Sequence, residues 1–203
     1  MTQRRTTTKQ RRTTTKQALF EATLRLARGR GLGDVTVDEI AAAAGVAKGT
    51  VYYNFGSKDG LVEALLRYGV DELASRLAVP SENAAPTDTL DTLVDNALRF
   101  ISEYPGFAQI LVSELWRAPG NWHETLSLLR GEVIGVLKQQ LAGFEQAGLL
   151  ASHVDVSTAA AGLFGTILVT GLDWMVFQPE RSRAEVAASI TRLLRGVGTS
   201  PPD

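Results

Sequence analysis

The chain has 203 residues, 44% of them hydrophobic and 21% charged, a balance that supports one or two folded domains with a sizeable core. It has no cysteine and two histidines, His123 and His153, which excludes disulfides, thiolate metal sites and a cysteine nucleophile and makes a multi-histidine metal centre an unsuitable reading. Net charge is −1 but unevenly spread: residues 1–58 carry 11 Lys+Arg against 4 Asp+Glu, and residues 59–203 carry 10 against 18, so a basic head on an acidic body is suited to meet a polyanion.

The N-terminus holds a perfect tandem repeat, Gln3-Arg4-Arg5-Thr6-Thr7-Thr8-Lys9 followed by Gln10-Arg11-Arg12-Thr13-Thr14-Thr15-Lys16. Six cations with no acid and no apolar residue cannot bury enough surface to fold alone, so residues 1–16 are expected to be a flexible basic arm. Such an arm lies along phosphates or enters a minor groove, or else contributes only weak non-specific attraction. No apolar stretch there resembles a secretory signal, which leaves a cytoplasmic location as the expectation.

Everything after the arm reads as helix, and no window keeps strand alternation between turn signals. Helix 1 runs from about Lys16 to Arg30, with Leu19, Phe20, Leu24 and Ala27 at helical spacing and a glycine cluster at its end. Those glycines follow a helix rather than a strand, so they are not read as a dinucleotide loop. Helix 2 opens on a capping box, Thr36-Val37-Asp38-Glu39, and helix 3 covers about Lys48 to Asn54. Helix 4 starts at the N-cap Ser57 and continues to about Leu77; Pro80 to Pro86 form a linker.

Helix 5 runs from about Asp88 to Glu103, Tyr104-Pro105-Gly106 breaks it, and a shorter helix reaches Trp116. After a turn at Ala118-Pro119-Gly120-Asn121, helix 7 runs to about Gln146, helix 8 spans Val156 to Phe177 behind the cap Asp155, and helix 9 opens on the box Ser182-Arg183-Ala184-Glu185 and lasts to about Arg195. The tail from Gly196 is expected to be loose. Residues 156–172 are uncharged, but 17 residues interrupted by threonine and glycine are too short and mixed for a membrane span. A largely buried bundle helix is the expectation.

Residues 37–56 have the layout of a helix-turn-helix: small Ala41 where two helices cross, Gly45 at the turn, and apolar Ile40, Val46, Val51 and Phe55 to pack the pair onto helix 1. The second helix then exposes Lys48, Gly49, Thr50, Tyr52, Tyr53 and Asn54, small at its start and polar or aromatic after it, as a helix inserted into a major groove requires.

The stretch from Thr36 to Leu61, sharpest at Gly49-Thr50-Val51-Tyr52-Tyr53-Asn54-Phe55 and Ser57-Lys58-Asp59, resembles the signature of the tetracycline-repressor (TetR) family. The likeness covers about residues 17–66. It implies an all-α chain of about nine helices, with a three-helix DNA-binding domain at 17–58 and a helical effector-binding and dimerisation domain at 59–203. By that resemblance Thr36, Tyr52 and Lys58 contact phosphates, and Lys48, Gly49, Thr50 and Tyr53 meet bases or backbone. Asn54 stands where the family often has histidine, and Ala47 where it often has serine or threonine; both departures bear on base specificity.

Residues 87–180 hold all three tryptophans and most of the aromatic residues. Phe100, Tyr104, Phe107, Trp116, Trp122, Phe164 and Trp174 are candidates to line an effector pocket together with Glu114, with Arg99, Gln109 and His123 as further polar contacts; a plain aromatic core explains many of them equally well. The expected effector is small and mostly hydrophobic. Helix 8, with Ala159, Ala161, Gly162, Gly165 and Thr166 beside Leu163, Ile167 and Leu172, and helix 9, with Val186, Ile190, Leu193 and Leu194, are expected to form the homodimer face over Val156–Phe177 and Ser182–Arg195. The chain then reads as a ligand-responsive regulator, a repressor at a pseudo-palindromic operator. The rivals are a non-specific DNA-binding protein using its basic arm and an enzyme. The enzyme reading is disfavoured because no nucleophile elbow, phosphate loop, metalloprotease helix or cofactor motif is present.

Overall fold

A computed structural model describes residues 3–28, 31–78, 86–115, 123–146 and 154–198. Among them the helical periodicity becomes nine α-helices and no strand: α1 Gln3–Ala27, α2 Val37–Ala43, α3 Lys48–Phe55, α4 Lys58–Leu77, α5 Pro86–Glu103, α6 Pro105–Leu115, α7 His123–Gln146, α8 Val156–Phe177 and α9 Arg183–Gly198. Of the linker expected from Pro80 to Pro86, residues 80–85 lie outside the described residues, as does the turn at 118–121, while Pro86 is already the first residue of α5.

Two expectations need correction. α1 begins at Gln3 rather than at about Lys16, and so takes in the whole basic repeat. The repeat holds neither glycine nor proline, and extending a helix already nucleated by its packed half adds a hydrogen bond per residue without a new nucleation cost. α9 likewise continues past Arg195 to Gly198, so the tail is helical for three residues longer than expected.

Local chemistry sets the helix ends. Thr36 caps α2 as a full capping box: its hydroxyl accepts from the Glu39 amide at 3.2 Å, and its own amide donates to the Glu39 carboxylate at 2.8 Å. Ser57 accepts from the Gly60 amide at 3.0 Å to start α4. Asp155 caps α8 through the Thr158 amide at 2.8 Å, and this bond, with that from the Thr158 hydroxyl, holds its carboxyl below the ordinary range. Ser182 and Glu185 repeat the box at α9.

α2 ends in a Schellman turn. The Gly45 amide donates to Ala42 at 3.1 Å, the Val46 amide donates to Ala41 at 3.0 Å, and Gly45 takes φ +68°. A Cβ at position 45 meets no neighbour, so the cost of replacing it is purely the left-handed backbone. Gly45→Ala is expected to destabilise the chain by about 1–2 kcal/mol, seen as a lower urea midpoint at unchanged m-value.

α4 is the central helix. Leu61, Val62, Leu65, Leu66, Val70, Leu73 and Leu77 form its buried side, and it packs on α3 at one end and on α5 and α7 further along. Gly69 is a notch in it, because a Cβ there would overlap the Phe107 ring of α6. Gly106 sets the start of α6 close against the Leu24 carbonyl of α1, and Gly171 lets α8 approach Ile101 and Leu98 of α5. Arg183 to Asp95 at 2.7 Å and Arg195 to Asp91 at 2.8 Å tie α9 to α5.

Candidate DNA interface and effector cavity

α1, α2 and α3 share one apolar core. Leu19, Ala22, Ile40, Ala41 and Val51 are buried in it, and the Phe55 ring packs at 5.7 Å from Phe20. Arg25 ties the pair from outside the core: its guanidinium donates to the Ala43 carbonyl at 3.0 Å, satisfying a carbonyl at the C-terminal end of α2. Sequence reasoning missed this role, because a lone arginine on a helix reads as a solvated charge.

With Val51 turned inward, the other side of α3 faces outward. Tyr52 is 46% exposed and Tyr53 73%, and Lys48 and Gly49 are exposed at its start. The N-cap position is Ala47, extended at ψ 145° with no side-chain bond to the first turn. The first amides of α3 therefore lack a side-chain acceptor, the arrangement in which a helix N-terminus favours an anion.

The candidate contacts are not all free to act. Lys48 donates to Asp38 at 2.9 Å, and the bond and charge of Asp38 push its pKa up. Thr36 spends its amide and its hydroxyl hydrogen on Glu39, at 2.8 Å each, so it has no donor left for a phosphate while the capping box is closed. Asn54 donates its amide nitrogen to the Thr50 carbonyl at 2.7 Å, back along its own helix. Lys58 donates to the Gly33 carbonyl at 2.6 Å, strapping the start of α4 to the α1–α2 loop. Lys48, Gly49, Thr50, Tyr52, Tyr53 and Asn54 sit together on α3, whereas Thr36 and Lys58 flank it with structural duties of their own.

Asp38 stands beside Lys48 as a competitor for the phosphates. Asp38→Asn is expected to raise affinity for mixed-sequence duplex DNA several-fold and to steepen its salt dependence by about one unit, since one more cation then releases counterions. Anisotropy titrations at several salt concentrations check this.

The body holds a cavity between α4, α5, α6, α7 and α8, lined by Leu73, Leu77, Phe100, Ile101, Leu137 and Phe164 among other residues, all of them apolar. Its walls stand close together, with room between them for only a water or two. A second, similarly narrow recess lies where α1 meets α4 and α6, with Phe20, Glu21, Tyr68, Phe100, Tyr104 and Phe107 in its walls. The Phe100 ring belongs to both, 5.1 Å from Tyr104 and 5.6 Å edge-on from Phe107.

Of the aromatic residues expected to form a pocket, Phe100, Tyr104, Phe107 and Phe164 thus line one space or the other. Trp174 lines neither: its indole donates to the Arg181 carbonyl at 2.8 Å and pins the α8–α9 turn. The Glu114 side chain, Trp116, Trp122 and the His123 side chain lie outside the described residues. Arg99 and Gln109 are exposed, Arg99 pairing with Asp95 at 3.2 Å, so neither supplies a polar contact inside. The aliphatic walls from α4 and α8 went unread, because leucines at helical spacing look the same whether they meet a neighbour or a void.

One half-buried polar group near the cavity was also missed. Arg76 of α4 is bonded to Glu72 and Glu103, each at 2.7 Å, and stands 5.7 Å from the centres of both the Phe100 and Tyr104 rings. Burial works against its charge, and the two carboxylates outweigh that. Its Nη1 is buried without a hydrogen-bond partner among the described residues.

Residues 16–65 match the family described as bacterial regulatory proteins, tetR family. The chain is 30% identical over 176 residues to the HTH-type transcriptional regulator BetI of Stenotrophomonas maltophilia, covering 82% of this chain and 86% of that protein. Its fold is similar to that of the transcriptional regulator FadR from Bacillus subtilis, solved in complex with stearoyl-CoA: TM-score 0.75, 21% identity, 91% of this chain and 99% of that one. It is also similar to AibR, solved with isovaleryl coenzyme A and operator DNA: TM-score 0.70, 20% identity, 88% of this chain and 97% of that one. With a helix-turn-helix that turns its second helix outward, and a relative matched along most of both lengths, the chain belongs to the tetR family of bacterial regulatory proteins and is a transcriptional regulator rather than an enzyme.

Proposed function

We propose that the chain is a homodimeric repressor that occupies a pseudo-palindromic operator and leaves it when an elongated, mostly apolar effector opens the cavity between α4 and α8. The observation that carries this reading is the build of α3: Val51 is sealed in the core while Tyr52 and Tyr53 stand out from it. Two large, solvent-exposed rings on a rigid helix suit a contact surface, and the basic head favours DNA as what it meets. Residues 17–58 form the DNA head, 59–203 the effector and dimer body, and α4 is the lever between them. The site of action is the cytoplasm, where the operator lies.

Dimerisation is supported by what α8 and α9 leave uncovered. Most of the apolar length of α8 is left uncovered within one chain. Val169, Val176 and Phe177 of α8 and Leu193 of α9 are exposed. A second copy laid on this face would bury them in a four-helix interface around a twofold axis. The two α3 helices would then enter successive major grooves about 34–36 Å apart.

The effector class follows from the cavity walls, which offer aliphatic and aromatic carbon. As it stands the space has room for only a water or two, so an effector must part the helices around it. That requirement supplies the coupling, since a ligand shifts the equilibrium only by preferring one state. The thioesters bound by FadR and AibR make acyl-CoAs the first compounds to test. Added to the protein–DNA complex, they are expected to release DNA at concentrations that fall about fourfold per methylene until the cavity is filled, the effect of about 0.8 kcal/mol per buried CH₂. Fluorescence anisotropy reads the release. No release at any chain length would contradict the effector assignment.

A further inference from the structure

We propose that the cavity between α4 and α8 and the recess against α1 are two chambers of one channel for a linear acyl chain, and that the Phe100 ring is the gate between them. The proposal rests on the effector reading above and deepens it, naming the residue that measures chain length and the place where a long chain touches the DNA head.

The alignment of the two spaces along α4 carries the argument. Leu65 and Gly69 line the recess, and Leu73 and Leu77 line the cavity. These four follow one another at steps of four and are all buried, a stripe that winds slowly round α4 and is about 18 Å long. The α6 wall continues in the same way, with Phe107 in the recess and its neighbour Ala108 in the cavity. Phe100 alone is common to both linings. Two voids end to end on one stripe, with a single ring common to both, form a passage closed at one point.

Contacts between side chains hold the gate shut. The Phe100 ring is 2% exposed and stands 5.1 Å from Tyr104, 5.6 Å edge-on from Phe107 and 5.7 Å from the Arg76 guanidinium. Such ring contacts are individually weak, and a phenylalanine turns aside by passing from one staggered rotamer to another. Beyond the gate the wall changes. Phe20 and Leu24 of α1 complete the recess, whereas the cavity lining takes no described residue from α1. A short chain is therefore confined to the body. A chain long enough to turn Phe100 aside lies against α1, the helix that shares its core with α2 and α3. Both chambers are narrow, so the ligand that threads them is unbranched.

The test is isothermal titration calorimetry of the full chain, free of DNA, with butanoyl-, octanoyl-, dodecanoyl- and hexadecanoyl-CoA and the even-numbered lengths between them. In the native chain, affinity is expected to rise about fourfold per methylene while one chamber fills, to stall over the lengths that meet Phe100, and to rise again for longer chains. Phe100→Ala opens the passage. The stall is then expected to vanish, and chains of the stalled lengths gain about tenfold or more, the worth of two further buried methylenes. Phe100→Leu is expected to change the series in the same direction to a smaller extent, and it carries the test should thermal unfolding show that the alanine variant does not fold. Leu24→Phe narrows the recess from the α1 side and is expected to remove the second rise, so that hexadecanoyl-CoA binds this variant about as tightly as a chain at the stall. An unbroken rise in the native chain, or a stall that survives in a folded Phe100 variant, would overturn the gate. A second rise that survives Leu24→Phe would overturn the part given to α1. Failure of the effector reading itself would look different: neither the native chain nor a folded Phe100 variant would bind an acyl-CoA of any length, and the gate would fall with it.

Discussion

A chain carrying Val169→Asp is expected to sediment as a folded monomer at micromolar concentration and to bind operator DNA at least 100-fold more weakly than the native chain. Val169 is 61% exposed on α8 in the single chain, so the carboxylate costs the isolated subunit little. In a twofold interface the change occurs twice, placing two charges where apolar surface should close. Leaving even one charge unpaired in a buried interface costs about 3 kcal/mol or more, which moves a dimer constant by over two decades. DNA affinity falls with it, because only a dimer presents the second head at high effective concentration. Sedimentation velocity and anisotropy on one preparation check both halves. A Val169→Asp dimer of native strength would remove α8 from the interface.

The recognition helix gives the other large effect. Tyr52→Ala with Tyr53→Ala is expected to reduce specific affinity by about 100-fold or more, at roughly 1–3 kcal/mol for each lost contact. The same change should leave thermal stability nearly untouched, since the rings are 46% and 73% exposed and Val51 between the turns still anchors α3. Gly49→Ala sharpens the contrast. A Cβ there meets nothing in the free protein and improves helix propensity by up to about 1 kcal/mol. A more stable chain that binds DNA worse would show that position 49 is small for the sake of the groove. Loss of stability in the double tyrosine variant would instead mean that the rings serve the fold.

Much of this architecture was legible wherever the chemistry is local. The capping residues Thr36, Ser57, Asp155 and Ser182 announced four helix starts, and each makes the bond its type suggests. Gly45 announced a left-handed turn and takes one. Where tertiary context decides, the reading fell short. Lys58 and Asn54 look like free polar groups in sequence, yet each finds a partner within the head. Trp174 has the aromatic bulk of a pocket residue and is spent on a turn. The basic repeat lacks any apolar signal, so composition pointed to an irregular arm; only its attachment to a packed helix carries the regular backbone outward. The cavity between α4 and α8 takes in Phe100 and Phe164 from the aromatic set expected to line a pocket, but a void between leucines leaves no mark on periodicity.

The central claim is that α3 reads duplex DNA from a symmetric pair of heads. Selecting duplexes from a random pool with the full-length chain, and measuring how many chains each enriched duplex holds, tests it most directly. The account predicts a consensus with twofold symmetry, half-sites centred about one helical turn apart, occupied by two chains or a multiple of two. A pool that enriches nothing, or a single asymmetric sequence holding one chain, would contradict it.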